Sequence, residues 1–178
     1  MRRSIPTEPL PTDIRRQVRS RLGRRVFAAA LGVFLALGAL GFYGVRTRTV
    51  SAAAGGYELS VRYASVSRPG LATPWSLEVR RPGGFPEGIT VAVMSSYFDF
   101  FDENGLDPAP MEETSDGERT FWTFGPSTAD TISVSFDARI EPGVQLTRAK
   151  GRAEVLAGAP GTTGATVVGV DFGTWVMP

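Results

Sequence analysis

Twenty consecutive residues, Val26 to Val45, carry no charge, and they follow a tail that holds eight arginines. At 1.5 Å of rise per residue, a helix of that length reaches about 30 Å, the thickness of a bilayer's hydrocarbon core. A run this apolar divides the chain before any other feature is considered. The expected division is a basic tail over residues 1–25, a transmembrane helix over 26–45, a linker over 46–56 and a folded domain over 57–178.

The net charge of +1 conceals a strong asymmetry. The tail sets eight arginines against Glu8 and Asp13, whereas residues 46–178 hold eleven basic and sixteen acidic side chains. Basic residues collect on the cytoplasmic side of a membrane helix, so the N-terminus is expected inside and the large domain outside the cell membrane. Arg15, Arg16, Arg19, Arg21, Arg24 and Arg25 interleave with Ile14, Val18, Leu22 and Val26, which recur every four residues. With Thr12 as N-cap and Asp13 in the first turn, this reads as a basic amphipathic helix leading into the span. Its main role is a topology signal, with anionic headgroups adding about 1 kcal/mol per basic residue near the surface. Ala28, Gly32 and Ala36 share one helix face and would let a second helix approach, although Ala and Gly are common throughout the chain.

A cleaved export signal is the competing reading. Arg24-Arg25-Val26-Phe27 is similar to the core of a twin-arginine signal, and Ala52-Ala53-Ala54 offers small residues for cleavage near Ala54. Against it, the apolar region of a signal usually spans about 7–15 residues, and Gly23 stands where that motif has a polar residue. The permanent single-pass anchor is favoured.

Beyond residue 56 the hydrophobic period changes to two. Tyr57–Ala64, Trp75–Arg80, Ile89–Val93, Tyr97–Phe101, Arg119–Phe124, Ile132–Ile140, Ala153–Leu156 and Thr166–Val176 read as strands. Between them lie turn formers such as Arg68-Pro69-Gly70, Pro82-Gly83-Gly84, Glu103-Asn104-Gly105, Asp116-Gly117 and Glu141-Pro142-Gly143. Seven to nine short strands at this spacing predict an all-β domain: an Ig-like or fibronectin-like antiparallel β-sandwich, with a small barrel as the alternative. There is no cysteine, so no disulfide supports it.

The arginine-rich tail and span, with stretches such as Trp75–Pro86 and Phe136–Gly143, give the chain a wider likeness. It resembles uncharacterised single-pass envelope proteins of high-GC Gram-positive bacteria that display an Ig-like extracytoplasmic domain. That resemblance implies a membrane-anchored display domain and brings no catalytic residues with it.

The absence of His and Cys removes triads built on His or Cys and the usual zinc and haem ligands. Lys150 is the only lysine and no Ser-x-x-Lys precedes it. Gly158–Gly164 lacks the Gly-Lys-Ser/Thr ending of a phosphate loop and reads as the turn between the last two strands. No cofactor and no nucleic-acid partner are expected.

One segment stands out. Residues 97–118 hold eight of the sixteen outer acids and no basic residue. Asp102, Asn104 and Asp107 are a candidate calcium set, one ligand short of the EF-hand order. Asp99 and Asp102 are candidates for the paired carboxylates of a hydrolase, although one small sandwich leaves little room for a cleft. The preferred reading is a protein-contact surface made of Tyr97, Phe98, Asp99, Phe100, Phe101, Asp102 and Glu103. A strand at 97–101 would send alternate rings to opposite faces and expose some of them. The expected function is therefore non-enzymatic: a membrane-anchored extracytoplasmic binding or accessory module contacting a membrane or envelope protein. A calcium-dependent adhesion module and a secreted hydrolase are the alternatives.

Overall fold

The computed structural model describes residues 11–41, 44–144, 147–158 and 164–177, and the chain divides into two units between Gly44 and Val45. The first unit is one helix, α1 (Pro11–Ala39). Proline suits the first helical position because its missing N–H would be unpaired there anyway. Thr12, expected as the cap, already lies within the helix. The other end closes where Leu40 N–H reaches the Ala36 carbonyl and Gly41 N–H the Gly38 carbonyl, each at 3.0 Å. Gly41 takes φ 73°, the left-handed conformation that commonly terminates helices.

The helix is therefore offset from the uncharged run. The stretch long and apolar enough to cross a membrane is Arg21–Ala39, 19 residues with mean hydropathy 1.6. As a helix it reaches about 28 Å and takes in Arg21, Arg24 and Arg25, while residues 42–43 of the expected 26–45 span lie outside the described residues.

The second unit is mostly β. Its strands are β1 (Arg46–Ala54), β2 (Tyr57–Ser67), β3 (Ala72–Arg80), β4 (Ile89–Met94), β5 (Phe101–Asp107), β6 (Glu112–Ser115), β7 (Arg119–Phe124), β8 (Thr131–Ile140), β9 (Thr147–Leu156) and β10 (Thr166–Val176). The strand order is β5-β8-β3-β2-β10-β9-β4-β7-β6, with β1 pairing β2 beside this path. Every pairing is antiparallel except β2 with β10, a parallel contact confined to Trp175–Val66 and Val176–Ser67. That short joint separates the sheet into two halves. One contributes Leu59, Val61, Leu77, Val79, Val134 and Phe136 to the core, and the other Val91, Val93, Trp122, Val155, Val170 and Phe172. Fully burying such a side chain stabilises the fold by roughly 1.5–3 kcal/mol.

Three segments depart from the sequence reading. Residues 46–56, expected as a linker, are strand β1 and a tight turn. Gly55 and Gly56 have φ 59° and 81°, the conformation of a two-residue hairpin, and Ala54 pairs directly with Tyr57. Val50 and Ala52 alternate toward the core. Of the aromatic strand expected at Tyr97–Phe101, residues 97–100 belong to a 3-10 helix, Ser95–Phe100, and Phe101 begins β5. The acid-rich stretch after them, expected as loop, holds β5 and β6.

Charges on the outer surface of the second half form a chain. Arg119 lies 3.1 Å from Asp116 and 3.7 Å from Glu154, and Arg152 lies 2.7 Å from Glu154 and 2.9 Å from Asp171. Arg119, Arg152, Asp116 and Asp171 are partly or largely exposed, which keeps their contribution modest, whereas Glu154 is buried between the two arginines.

Candidate functional site

The two ends of the strand order, β5 and β6, each pair on one side only. They are joined by residues 108–111, and together they border a groove of about 560 Å³. Its floor is aromatic: Phe98, Trp122 and Phe136 line it. Phe98 meets Phe136 edge-on at 5.3 Å and Trp122 at 5.8 Å. Leu106 and Pro110 add apolar walls, and Asp99 and Glu113 bring carboxylates to the rim.

The 3-10 helix explains why the sequence folds this way. One tight turn sends Tyr97, Phe98 and the following Phe101 inward together while Asp99 points to solvent. An extended strand would have separated the two adjacent rings onto opposite faces. Tyr97 is held further by its hydroxyl, 2.8 Å from Thr174 Oγ1, which donates in turn to the Ala64 carbonyl at 2.6 Å. Burial raises the Tyr97 phenol well above its ordinary value, so it stays protonated as a donor.

The expected contact set is thus divided. Tyr97, Phe98 and Phe101 are core residues, and Phe100 is half-buried against the same cluster. Asp99 and Asp102 are exposed, and Asp102 pairs across the sheet with Arg139. Glu103 pairs with Ala138, and its side chain lies outside the described set, as does that of Asn104. Arg21, Arg24 and Arg25 are exposed on α1; the side chains of Arg15, Arg16 and Arg19 lie outside the described residues.

The calcium set does not converge. Asp102 and Asp107 stand opposite Arg139 and Ser135, four residues apart along β8. That separation is about 13 Å, whereas ligands of one calcium ion lie within about 5 Å of each other. Among the described residues, no group of three or more His, Cys, Asp or Glu side chains is placed to hold a metal. The carboxylates that share the groove are Asp99 and Glu113, rather than Asp99 and Asp102.

Groove-lining residues that the sequence reading did not single out are Leu106, Trp122 and Phe136. Trp122 has a further property: its indole N–H is buried without an acceptor, as is that of Trp75. A buried donor left unpaired costs roughly 1–3 kcal/mol.

Chemically, the site offers two things. An open strand edge presents main-chain donors and acceptors that an added strand can satisfy, and an aromatic floor offers apolar contact. The acids on β5 and β6 have a structural role of their own, since charge along an open edge discourages indiscriminate pairing.

No family model matches this chain, and no curated protein matches it in sequence. Solved structures similar at low level include AvmM and self-complemented MyfA. AvmM, described as catalysing macrocyclization in alchivemycin A biosynthesis, has a TM-score of 0.37 and 12% identity, covering 76% of this chain and 90% of its own. Self-complemented MyfA, the major subunit of Myf fimbriae from Yersinia enterocolitica, has a TM-score of 0.35 and 11% identity, covering 75% of this chain and 99% of its own.

Proposed function

We propose that this chain is a non-enzymatic binding or accessory module, anchored in the cell membrane by α1 with its N-terminus in the cytoplasm. Its β domain, read as an Ig-like sandwich of the two sheet halves, lies outside and contacts another membrane or envelope protein. The observation that carries the binding role is the groove between the two open edges, with aromatic floor and carboxylate rim. A partner segment that fits is extended and basic, adding main-chain bonds at an edge and placing cations beside Asp99 and Glu113. The lack of His and Cys supports a non-enzymatic role. Anchoring is favoured over cleavage near Ala54, because Ala52–Ala54 are paired with Leu59–Tyr57 and removing them would strip β1 from the domain.

The test is purification of the full-length protein from membranes in mild detergent, followed by mass spectrometry of co-purifying proteins. The wild type is expected to bring down one stoichiometric partner, and Asp99→Lys/Glu113→Lys to lose it with near-UV circular dichroism unchanged. A partner that remains on the double variant removes the groove from the interface. Wild-type protein that purifies alone removes the accessory role.

A further inference from the structure

A second site lies at the opposite place in the strand order, where β2 meets β10. A cleft of about 490 Å³ there is lined by Arg48 of β1, Arg148 and Lys150 of β9, and Trp175 of β10. Its three cations face no carboxylate within the lining. The register shows how that excess arises. Arg148, Lys150 and Arg152 alternate along β9, and the residues paired with them on β10 are Trp175, Gly173 and Asp171. Only Arg152 has an acid opposite, and it is fully engaged by Asp171 and Glu154. At the other two positions a glycine and a tryptophan stand where an acid would neutralise the cation.

The tryptophan is itself unusual. Trp175 is 41% exposed, against 2% for Trp75 and 4% for Trp122. The Arg148 guanidinium lies 5.4 Å from its ring centroid. Stacking fixes the plane of a guanidinium while leaving its N–H fork free to take an oxyanion in bidentate fashion. Arg48 stands nine residues beyond Ala39, where α1 ends, a chain length that reaches at most about 30 Å.

We propose that this cleft binds the phosphate of anionic phospholipid headgroups, with Arg48, Arg148 and Lys150 as its cations and Trp175 entering the interface. An amphipathic ring beside a cation cluster is the pairing that membrane surfaces select. The inference rests on the anchored reading above, because the short chain between α1 and β1 is what keeps the cleft within reach of a bilayer.

The test uses the full-length protein reconstituted in vesicles, after alkaline carbonate extraction has established whether it is integral to the membrane. Extraction into the soluble fraction would overturn the anchored reading itself, apart from the cleft. For integral protein, tryptophan emission is compared in phosphatidylcholine vesicles with and without phosphatidylglycerol, each carrying lipids brominated near the headgroup. Quenching is expected only with phosphatidylglycerol, to vanish in Trp175→Phe, and to fall to about half or less in Arg148→Gln/Lys150→Gln. It is also expected to be lost near 1 M salt, where the screening length is about 3 Å. Equal quenching in both lipids, or full quenching in the double variant, overturns the proposal. A third arm adds inorganic phosphate alone: protection of Trp175 from aqueous acrylamide by phosphate, without quenching by phosphatidylglycerol, would assign the cleft to a soluble phosphate and overturn the lipid source.

Discussion

Tyr97 joins three elements through one hydroxyl. Its ring packs edge-on against Phe172 of β10 at 4.8 Å, and its O–H leads through Thr174 to the Ala64 carbonyl of β2. The backbone of β9 approaches so closely that a Cβ at Gly151 would stand 2.4 Å from the Phe172 ring and 2.9 Å from Tyr97. Tyr97→Phe removes one buried bond and leaves Thr174 with its carbonyl acceptor, so a loss of about 1–2 kcal/mol is expected in denaturant unfolding. Phe98→Ala, which empties the centre of the ring cluster, is expected to cost about 3–5 kcal/mol, and Phe100→Ala, half-buried, clearly less. Equal costs for the two would mean that Phe100 is as much a core residue as Phe98. The aromatic content of this segment was legible in the sequence, and its direction was not. Rings at 97, 98, 100 and 101 fit no pure period of two, and only the 3-10 turn lets adjacent residues face inward together.

Among the elements, the turn between β6 and β7 shows how an exposed acid can be structural. The Asp116 carboxylate accepts the backbone N–H groups of Arg119 at 2.7 Å and Glu118 at 3.0 Å, and Arg119 above all holds its pKa below the ordinary 3.8. A carboxylate depressed in the folded state contributes stability above its unfolded value and loses it as pH falls through the folded one. The turn is therefore expected to loosen only below about pH 4, seen as a fall in the protection of the Glu118 and Arg119 amides relative to their intrinsic exchange at the same pH, and Asp116→Ala is expected to remove that pH dependence. Asp116-Gly117 was recognised as a turn; the four-residue strand before it was not, because Glu112–Ser115 has no apolar side chain and is a strand only through its pairing with β7. β1 escaped for a similar reason. Val50 is its only large apolar residue, so alternation is faint, and the informative signal was Gly55-Gly56 ahead of a clear strand. The strands β2, β3, β4, β8 and β10 carry large residues at alternate positions, and β7 was marked by its aromatic residues Phe121, Trp122 and Phe124.

For the molecule as a whole, β1 decides where the domain can begin. A chain starting at Gly55 lacks the strand that covers one edge of β2 and the partly buried Val50 and Ala52. Compared with a chain starting at Val45, it is expected to melt lower by about 3 °C or more for each kcal/mol lost, or to self-associate through the exposed edge. Identical melting of the two would restore 46–54 to the linker expected from sequence. The candidate site was legible in its acids and rings but not in its shape, since the groove depends on β5 and β6 being the two ends of one strand order. That order has another consequence. Among the described residues the halves share strand pairing at Trp175–Val176 with Val66–Ser67, extended by Met177 N–H to the Ser67 carbonyl and by Thr174 Oγ1 to the Ala64 carbonyl, so buried apolar surface supplies most of their cohesion. Apolar cohesion has almost no enthalpy near room temperature and weakens on cooling. The contact between the two parts of the sheet is therefore expected to be the first to loosen on cooling, seen as amide protection lost at Val66, Ser67 and Val176 before it is lost within the antiparallel ladders.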